Sequence, residues 1–208
     1  MSDDLSGKLT TYRGRRHFDR TREPRGEGVE DGREPVFVVQ IHDATSTHFD
    51  FRLEVDGVLK SWSVPKGPSA DAHDKRLAVP TEDHPLEYRA FEGVIAGGEY
   101  GAGTVIVWDE GTYVPLAGST DDKGRTFAEA LEHGHATFRL DGSKLHGAYA
   151  LTRFREGEES GGRASWLLVK KKDDRADGRP APDPRRARSV RSGRTLRQVA
   201  EEDREGAG

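Results

Sequence analysis

From Thr47 the chain reads THFDFRLEV, with polar and apolar residues alternating strictly from His48 to Val55. Phe49, Phe51, Leu53 and Val55 take the odd positions; His48, Asp50, Arg52 and Glu54 take the even ones. Successive side chains of a β-strand point to opposite faces, so this run is a strand with one apolar face and one ionisable face. Asp56-Gly57 follows at once. That pair accepts the positive backbone φ of a two-residue hairpin turn, so Leu59 to Val64 returns antiparallel. The centre of the chain is thereby committed to antiparallel β-structure.

Other runs share this character. Val36–Ile41, Arg76–Val79, Thr104–Trp108, Thr112–Leu116, Ala136–Leu140, His146–Phe154 and Ser165–Lys170 are short and largely β-branched, aromatic or aliphatic. Asp109-Glu110-Gly111 and Asp141-Gly142 read as turns between them. Thr126–His133 is the one expected helix, with Gly134 as its C-terminal cap. Eight or so short strands and one short helix predict an all-β antiparallel barrel or sandwich over residues 36–174. Residues 1–35 read as a basic arm, mobile in part. Residues 175–208 are rich in Arg, Pro, Ala and Asp, read as a basic tail, and are expected to be disordered and to add no core.

Charge narrows the chemistry. Of 208 residues, 33 are Lys or Arg and 37 are Asp or Glu, so the chain is not basic all round. The arginines nevertheless crowd the two ends, which suits a nucleic-acid backbone. There is no cysteine, which excludes disulfides and thiolate metal sites. No run approaches the ~20 apolar residues of a membrane span, and a cytoplasmic monomer without membrane contact is expected.

His48 and Asp50 lie two apart on one strand face, and His42 stands six residues upstream. Imidazole plus carboxylate suits a divalent ion such as Mn²⁺, Fe²⁺ or Zn²⁺; the same alternation also describes a plain solvated face. Arg52 extends the ionisable face. Lys66 in PKGPS, Arg76, and Glu82-Asp83-His84 before a proline add further polar groups. Cations beside a metal make a place for phosphate. The glycine run GGEYGAG at 97–103 lacks the following helix of a dinucleotide loop.

Four segments in order, HDATSTHFDFRLEVDGVLKSWSVPKGPS, KRLAVPTEDHPLEY, FEGVIAGGEYGAGTVIVWDEG and SWLLVKKKD, resemble the 3′-phosphoesterase domain of bacterial DNA ligase D and its stand-alone homologues. The resemblance runs from about Leu9 to Asp174, and SVRSGRTLRQVAEE is similar to the linker that follows the domain. It implies a small β-barrel with an active-site groove. It also implies an Mn²⁺-dependent enzyme that trims a 3′-terminal ribonucleotide to a 3′-phosphate, then removes the phosphate to leave a 3′-OH. The implied Mn²⁺ ligands are His42, His48 and Asp50. The implied phosphate contacts are Arg52, Lys66, Arg76, His84 and Tyr88, with Glu82 as a supporting acid and Arg16 and Glu23 as substrate-arm residues. DNA primer-template ends are the implied substrate. A separate ligase or polymerase and a Ku-type end-binding protein are implied partners.

His17 stands where the family commonly has aspartate, in an arm serving mainly the diesterase step, so restoring aspartate is expected to favour that step. Glu54 receives no role. Two other readings stand beside this one. A His-x-Asp with a distant His also describes an Fe(II) oxygenase triad, and a non-catalytic DNA-end binder would need the basic ends alone.

Overall fold

A computed structural model of the chain describes residues 2–26, 33–116, 124–155, 164–176 and 182–206. Its centre is a closed antiparallel barrel of eight strands, made of two four-strand meanders joined edge to edge. The first meander is β1 (Val36–Asp43), β2 (Thr47–Val55), β3 (Val58–Val64) and β4 (Lys75–Pro80). Two short strands follow, β5 (His84–Pro85) and β6 (Gly93–Ile95). The second meander is β7 (Gly103–Leu116), β8 (His135–Gly142), β9 (His146–Arg155) and β10 (Ser165–Lys170). β4 pairs with β10 and β1 with β7, so no barrel strand is left as an open edge.

The period-two alternation sorts residues between two cores. Phe37, Val39 and Ile41 of β1 and Phe49, Phe51 and Leu53 of β2 join Trp62, Phe138, Leu151 and Leu168 in the main cluster, inside the barrel. The opposite face of β1 and β7 carries Val38, Val105 and Val107. They pack with Leu9, Tyr12, Leu86 and Tyr88 in a second cluster outside the wall. That outer layer comes from the N-terminal arm and from the 3₁₀ turn Leu86–Ala90. The even face of β2 is therefore roofed, and Asp50 and Arg52 are buried on it.

The Asp56-Gly57 hairpin forms as the sequence predicts, with Val55 opposite Val58 and both turn residues at positive φ (49° and 79°). Thr126 and Glu129 form a reciprocal capping box at the start of α3 (Phe127–Glu132), and Gly134 closes it at φ 87°.

Two expectations are corrected. Asp109-Glu110-Gly111 is no turn: β7 runs unbroken through it, with Trp108 as the extra residue of a bulge opposite Val39 and Gln40. Asp109 is fully buried because its carboxylate accepts from the backbone N–H groups of Ser143, Lys144 and Leu145. Gly111 passes so close to β8 that a Cβ would lie 2.0 Å from the Asp141 carbonyl oxygen.

The basic arm is anchored to the barrel. It contains α1 (Ser2–Lys8) and α2 (Thr10–Gly14), and Leu9 and Tyr12 are buried against the barrel wall. The tail is the second correction. α4 (Leu196–Gly206) packs on β6 and β7, and Ala187, Leu196 and Val199 join the main core. Four of its described arginines pair with the protein's own acids: Arg186 with Asp183, Arg191 with Glu110, Arg194 with Glu92 and Glu202, and Arg197 with Glu201. Composition hid both segments because their apolar residues are few and widely spaced. Among the described residues no helix is long and apolar enough to cross a membrane.

Candidate active site

Strand pairing builds the site. β1 and β2 run antiparallel with His42 opposite His48, Gln40 opposite Asp50 and Val38 opposite Arg52. Residues directly opposite on one face are close neighbours, so the two histidines and the aspartate meet on the outer wall. Their imidazole rings lie 5.0 Å apart. One ligand atom from each of His42, His48 and Asp50 falls within 4.8 Å of the others.

The tautomer of each neutral ring follows from its partner. His42 Nε2 lies 2.8 Å from the Gly101 carbonyl oxygen, and His48 Nδ1 lies 2.9 Å from that of Ser46. A carbonyl only accepts, so each of these nitrogens carries a hydrogen, and in the neutral ring the lone pair is on the other nitrogen. Those other nitrogens, His42 Nδ1 and His48 Nε2, face the Asp50 carboxylate at 3.8 Å and 3.7 Å. Burial lowers the His42 pKa, against a smaller opposing effect of Asp50, and keeps the ring neutral. Two lone pairs and one carboxylate oriented by backbone carbonyls are what a divalent cation requires of its ligands. The residues present fit such an ion.

Beside this triad lies a buried guanidinium. Arg52 donates from Nε to Gln40 Oε1 (2.8 Å), from Nη1 to Ser61 Oγ (2.8 Å) and from Nη2 to Asp50 Oδ2 (3.0 Å). A buried cation is tolerated only when paired and hydrogen-bonded, and Asp50 supplies the charge. Arg52 Nη1 is also 3.1 Å from His84 Nδ1, and its guanidinium sits over the Tyr88 ring at 5.0 Å. His84 Nδ1 donates to the Glu82 carbonyl (2.9 Å). Its pKa lies well below the ordinary histidine range, by burial first and then by the Arg52 and Arg16 cations. Burial holds the Tyr88 phenol well above its usual pKa, so it stays protonated.

The arm closes one side. Arg16 donates to Glu23 Oε1 (2.8 Å) and Glu82 Oε1 (2.5 Å), and stacks over Tyr12 at 3.7 Å. Arg15 donates to Glu82 Oε2 and to the Tyr100 hydroxyl, both at 2.9 Å. The result is a cleft of about 300 Å³ with Arg16, His42, His48, Asp50, Arg52, Glu82, His84 and Tyr88 on its walls. Glu23 lies behind Arg16, 4% exposed.

A model of the DNA ligase D 3′-phosphoesterase domain matches residues 40–153. The chain belongs to this phosphoesterase family. It is 47% identical over 196 residues to the multifunctional non-homologous end joining protein LigD of Pseudomonas aeruginosa, covering 92% of this chain and 22% of that protein. It is 40% identical over 177 residues to the Mycolicibacterium smegmatis protein of the same name, covering 82% of this chain and 21% of the other. The LigD repair protein of Mycobacterium tuberculosis is 43% identical over 152 residues, covering 72% and 19%. The chain thus spans about a fifth of the length of these relatives.

Not every expected residue of the phosphoesterase site reaches the cleft. Lys66 is exposed on the turn after β3 and lines no part of it. Arg76 falls on the same side of β4 as the core residue Ala78 and is tied to Asp74 at 2.5 Å. Glu54 is no solvated residue: its carboxylate accepts from the Val36 N–H (3.0 Å) and meets Arg33 at 3.6 Å, pinning the start of β1. His17 reaches across to Glu99 Oε2 at 3.0 Å. An aspartate there would meet a like charge.

Sequence reasoning passed over Gln40, which is fully buried and donates to the Tyr88 and Phe91 carbonyls while accepting from Arg52. The signal was present: Gln40 lies two before His42, on the same strand face. Ser61, Arg15 and Tyr100 carried no such signal, because their neighbours in space are distant in sequence.

Proposed function

We propose that this domain is a hydrolase that heals DNA 3′ ends during non-homologous end joining. On this reading it trims a 3′-terminal ribonucleotide to a 3′-phosphate, then removes that phosphate to leave a 3′-OH for ligation. The single observation that carries the reading is the coincidence, in one cleft, of a cation-ready His42–His48–Asp50 set with the buried Arg52. Cations at the cleft favour a phosphate over the oxygenase reading.

His42, His48 and Asp50 would hold a divalent cation, Mn²⁺ by the family resemblance, and such an ion when bound supplies Lewis acidity and a more acidic bound water. Arg52 has five N–H groups. Gln40, Ser61 and Asp50 accept from three of them, and His84 Nδ1, itself a donor to the Glu82 carbonyl, accepts none, leaving an Nη2–H for a phosphate oxygen. Because its partners fix it in place, that donor needs no reorganisation as charge grows in the transition state; one such donor is typically worth about 10²–10³ in rate. Tyr88, held protonated, donates a second hydrogen bond. A phosphate dianion entering beside His84 raises the affinity of that ring for a proton, which fits it to protonate the leaving oxygen. Arg16 confines the same phosphate from the arm side. Lys66, exposed on the turn after β3, is assigned to a DNA backbone phosphate further from the reacting one. A separate ligase, a polymerase and a Ku-type end-binding protein would be the partners.

The test is a time course with Mn²⁺ on a primer-template ending in one ribonucleotide, resolving starting strand, 3′-phosphate and 3′-OH. The proposal expects 3′-phosphate to rise and then convert to 3′-OH. No shortened or dephosphorylated product would refute it and leave a DNA-end binder.

A further inference from the structure

The loop between β6 and β7, residues 96–102, lies against the cleft, and only its Gly101 carbonyl, which orients His42, has a role above. It is built as two successive turns: Glu99 N–H bonds the Ala96 carbonyl and Ala102 N–H bonds the Glu99 carbonyl, both at 3.1 Å. In the second turn Gly101 takes the third position at φ 77°, as a type II turn demands. Tyr100 therefore occupies the outer corner. Its neighbour Gly101 holds His42 Nε2 at 2.8 Å, so the corner is anchored directly to the metal-ligand set.

Tyr100 is unusual in this setting. Leu77, Tyr100, Val114 and Phe154 are the exposed large hydrophobic side chains among the described residues, and only Tyr100 lines the cleft. It is 50% exposed, whereas Tyr88 and His84, which line the same cleft, are buried. The ring is braced. The Arg15 guanidinium sits over it at 4.7 Å from the centroid and donates to its hydroxyl at 2.9 Å. Ile95 and Ala44 add apolar lining to the same cleft. A fixed, half-open aromatic ring next to a phosphate site is suited to the flat face of a nucleobase, whatever that base is.

We propose that Tyr100 is the stacking platform for the terminal nucleoside of the strand whose 3′-phosphate enters the cleft. This rests on the phosphoesterase reading above and adds what that reading lacks, a contact to the nucleoside itself. The ring meets the base equally before and during reaction, so its contribution falls on KM rather than on kcat. Stacking also makes the enzyme tolerant of base identity and intolerant of a missing base.

The experiment measures phosphate release by the wild type, Tyr100→Phe and Tyr100→Ala. One substrate is a DNA strand ending in a normal nucleoside 3′-phosphate. The other is the same strand ending in an abasic sugar 3′-phosphate. For the wild type, loss of the base should raise KM about 5- to 150-fold, the range for one base stacked on one aromatic ring. Tyr100→Ala should suffer the same rise on the normal strand and almost none on the abasic strand, while Tyr100→Phe behaves as the wild type on both. An equal loss on both strands would show that Tyr100 acts only through the loop that holds His42, and would overturn the inference. So would an alanine variant unchanged on both. Failure of the wild type to release phosphate from either strand would instead overturn the phosphoesterase reading, and this inference with it.

Discussion

Replacing Gln40 by alanine separates what holds the site together from what the site does. The side chain is fully buried and makes three hydrogen bonds: Oε1 accepts from Arg52 Nε at 2.8 Å, and Nε2 donates to the Tyr88 and Phe91 carbonyls at 3.1 Å and 3.0 Å. A hydrogen bond to a charged group contributes about 1.5–3 kcal/mol and an ordinary one about 1, so Gln40→Ala should cost about 3.5–5 kcal/mol. Against a total stability of ~5–15 kcal/mol the variant remains folded in the cold but melts much lower. Its kcat for 3′-phosphate removal should fall about 10²–10³-fold, the usual cost of one lost transition-state donor, because Arg52 loses the partner that orients Nε. Gln40→Glu keeps an acceptor for Arg52 and loses both donors, so it should share the loss of stability while retaining most of the activity. The assays are urea unfolding and single-turnover phosphate release at low temperature. Wild-type kcat in a folded Gln40→Ala protein would refute the positioning argument. Equal activity losses in the two variants would show that Gln40 works by holding the 3₁₀ turn instead.

Three further outcomes follow from particular contacts. An unfolded chain protonates the residue 84 imidazole below about pH 6.5, whereas the folded chain, with its pKa held far lower by burial and by Arg52 and Arg16, does not. The unfolded state then binds more protons, so stability declines as pH falls from there. The urea midpoint should therefore drop more between pH 7 and pH 5 for the wild type than for His84→Gln, and equal drops would contradict this. His17→Asp sets a carboxylate against Glu99, so diesterase activity should fall rather than rise, and regain it in the His17→Asp/Glu99→Gln double variant; a rise in the single variant would restore the family-based expectation. Gly111→Ala drives a methyl group into the β8 backbone at Asp141 and Gly142 and should cost about 1–3 kcal/mol by thermal unfolding. An unchanged melting temperature would show that β7 and β8 can separate there.

How far the sequence was legible depended on the range of the interaction. The β2 alternation and the Asp56-Gly57 turn are decided by neighbours in the chain, so both were readable, and so was the capped helix at Thr126. Asp109 and Gly111 misled because their residue types serve long-range ends: a carboxylate that satisfies three amides of the β8–β9 turn and a glycine that admits a neighbouring backbone. The arm and the tail each contribute only a few anchoring apolar residues, Leu9 and Tyr12 in one and Leu196 and Val199 in the other. No periodicity reveals such anchors. Within the site, His42, His48, Asp50 and Arg52 share adjacent strand faces and could be named together. Arg15 and Tyr100, 85 positions apart, meet only in the folded chain.

The central claim is that His42, His48 and Asp50 hold the cation on which 3′-end chemistry depends. It is tested most directly by titrating Mn²⁺ into the wild type, His48→Ala and Asp50→Ala, following free Mn²⁺ by electron paramagnetic resonance and measuring phosphate release from a DNA 3′-phosphate on the same samples. One ion should bind per wild-type chain, with binding and phosphate release lost together in both variants. Near-normal phosphate release by either variant, or release by the wild type without bound Mn²⁺ or any other divalent metal, would contradict it.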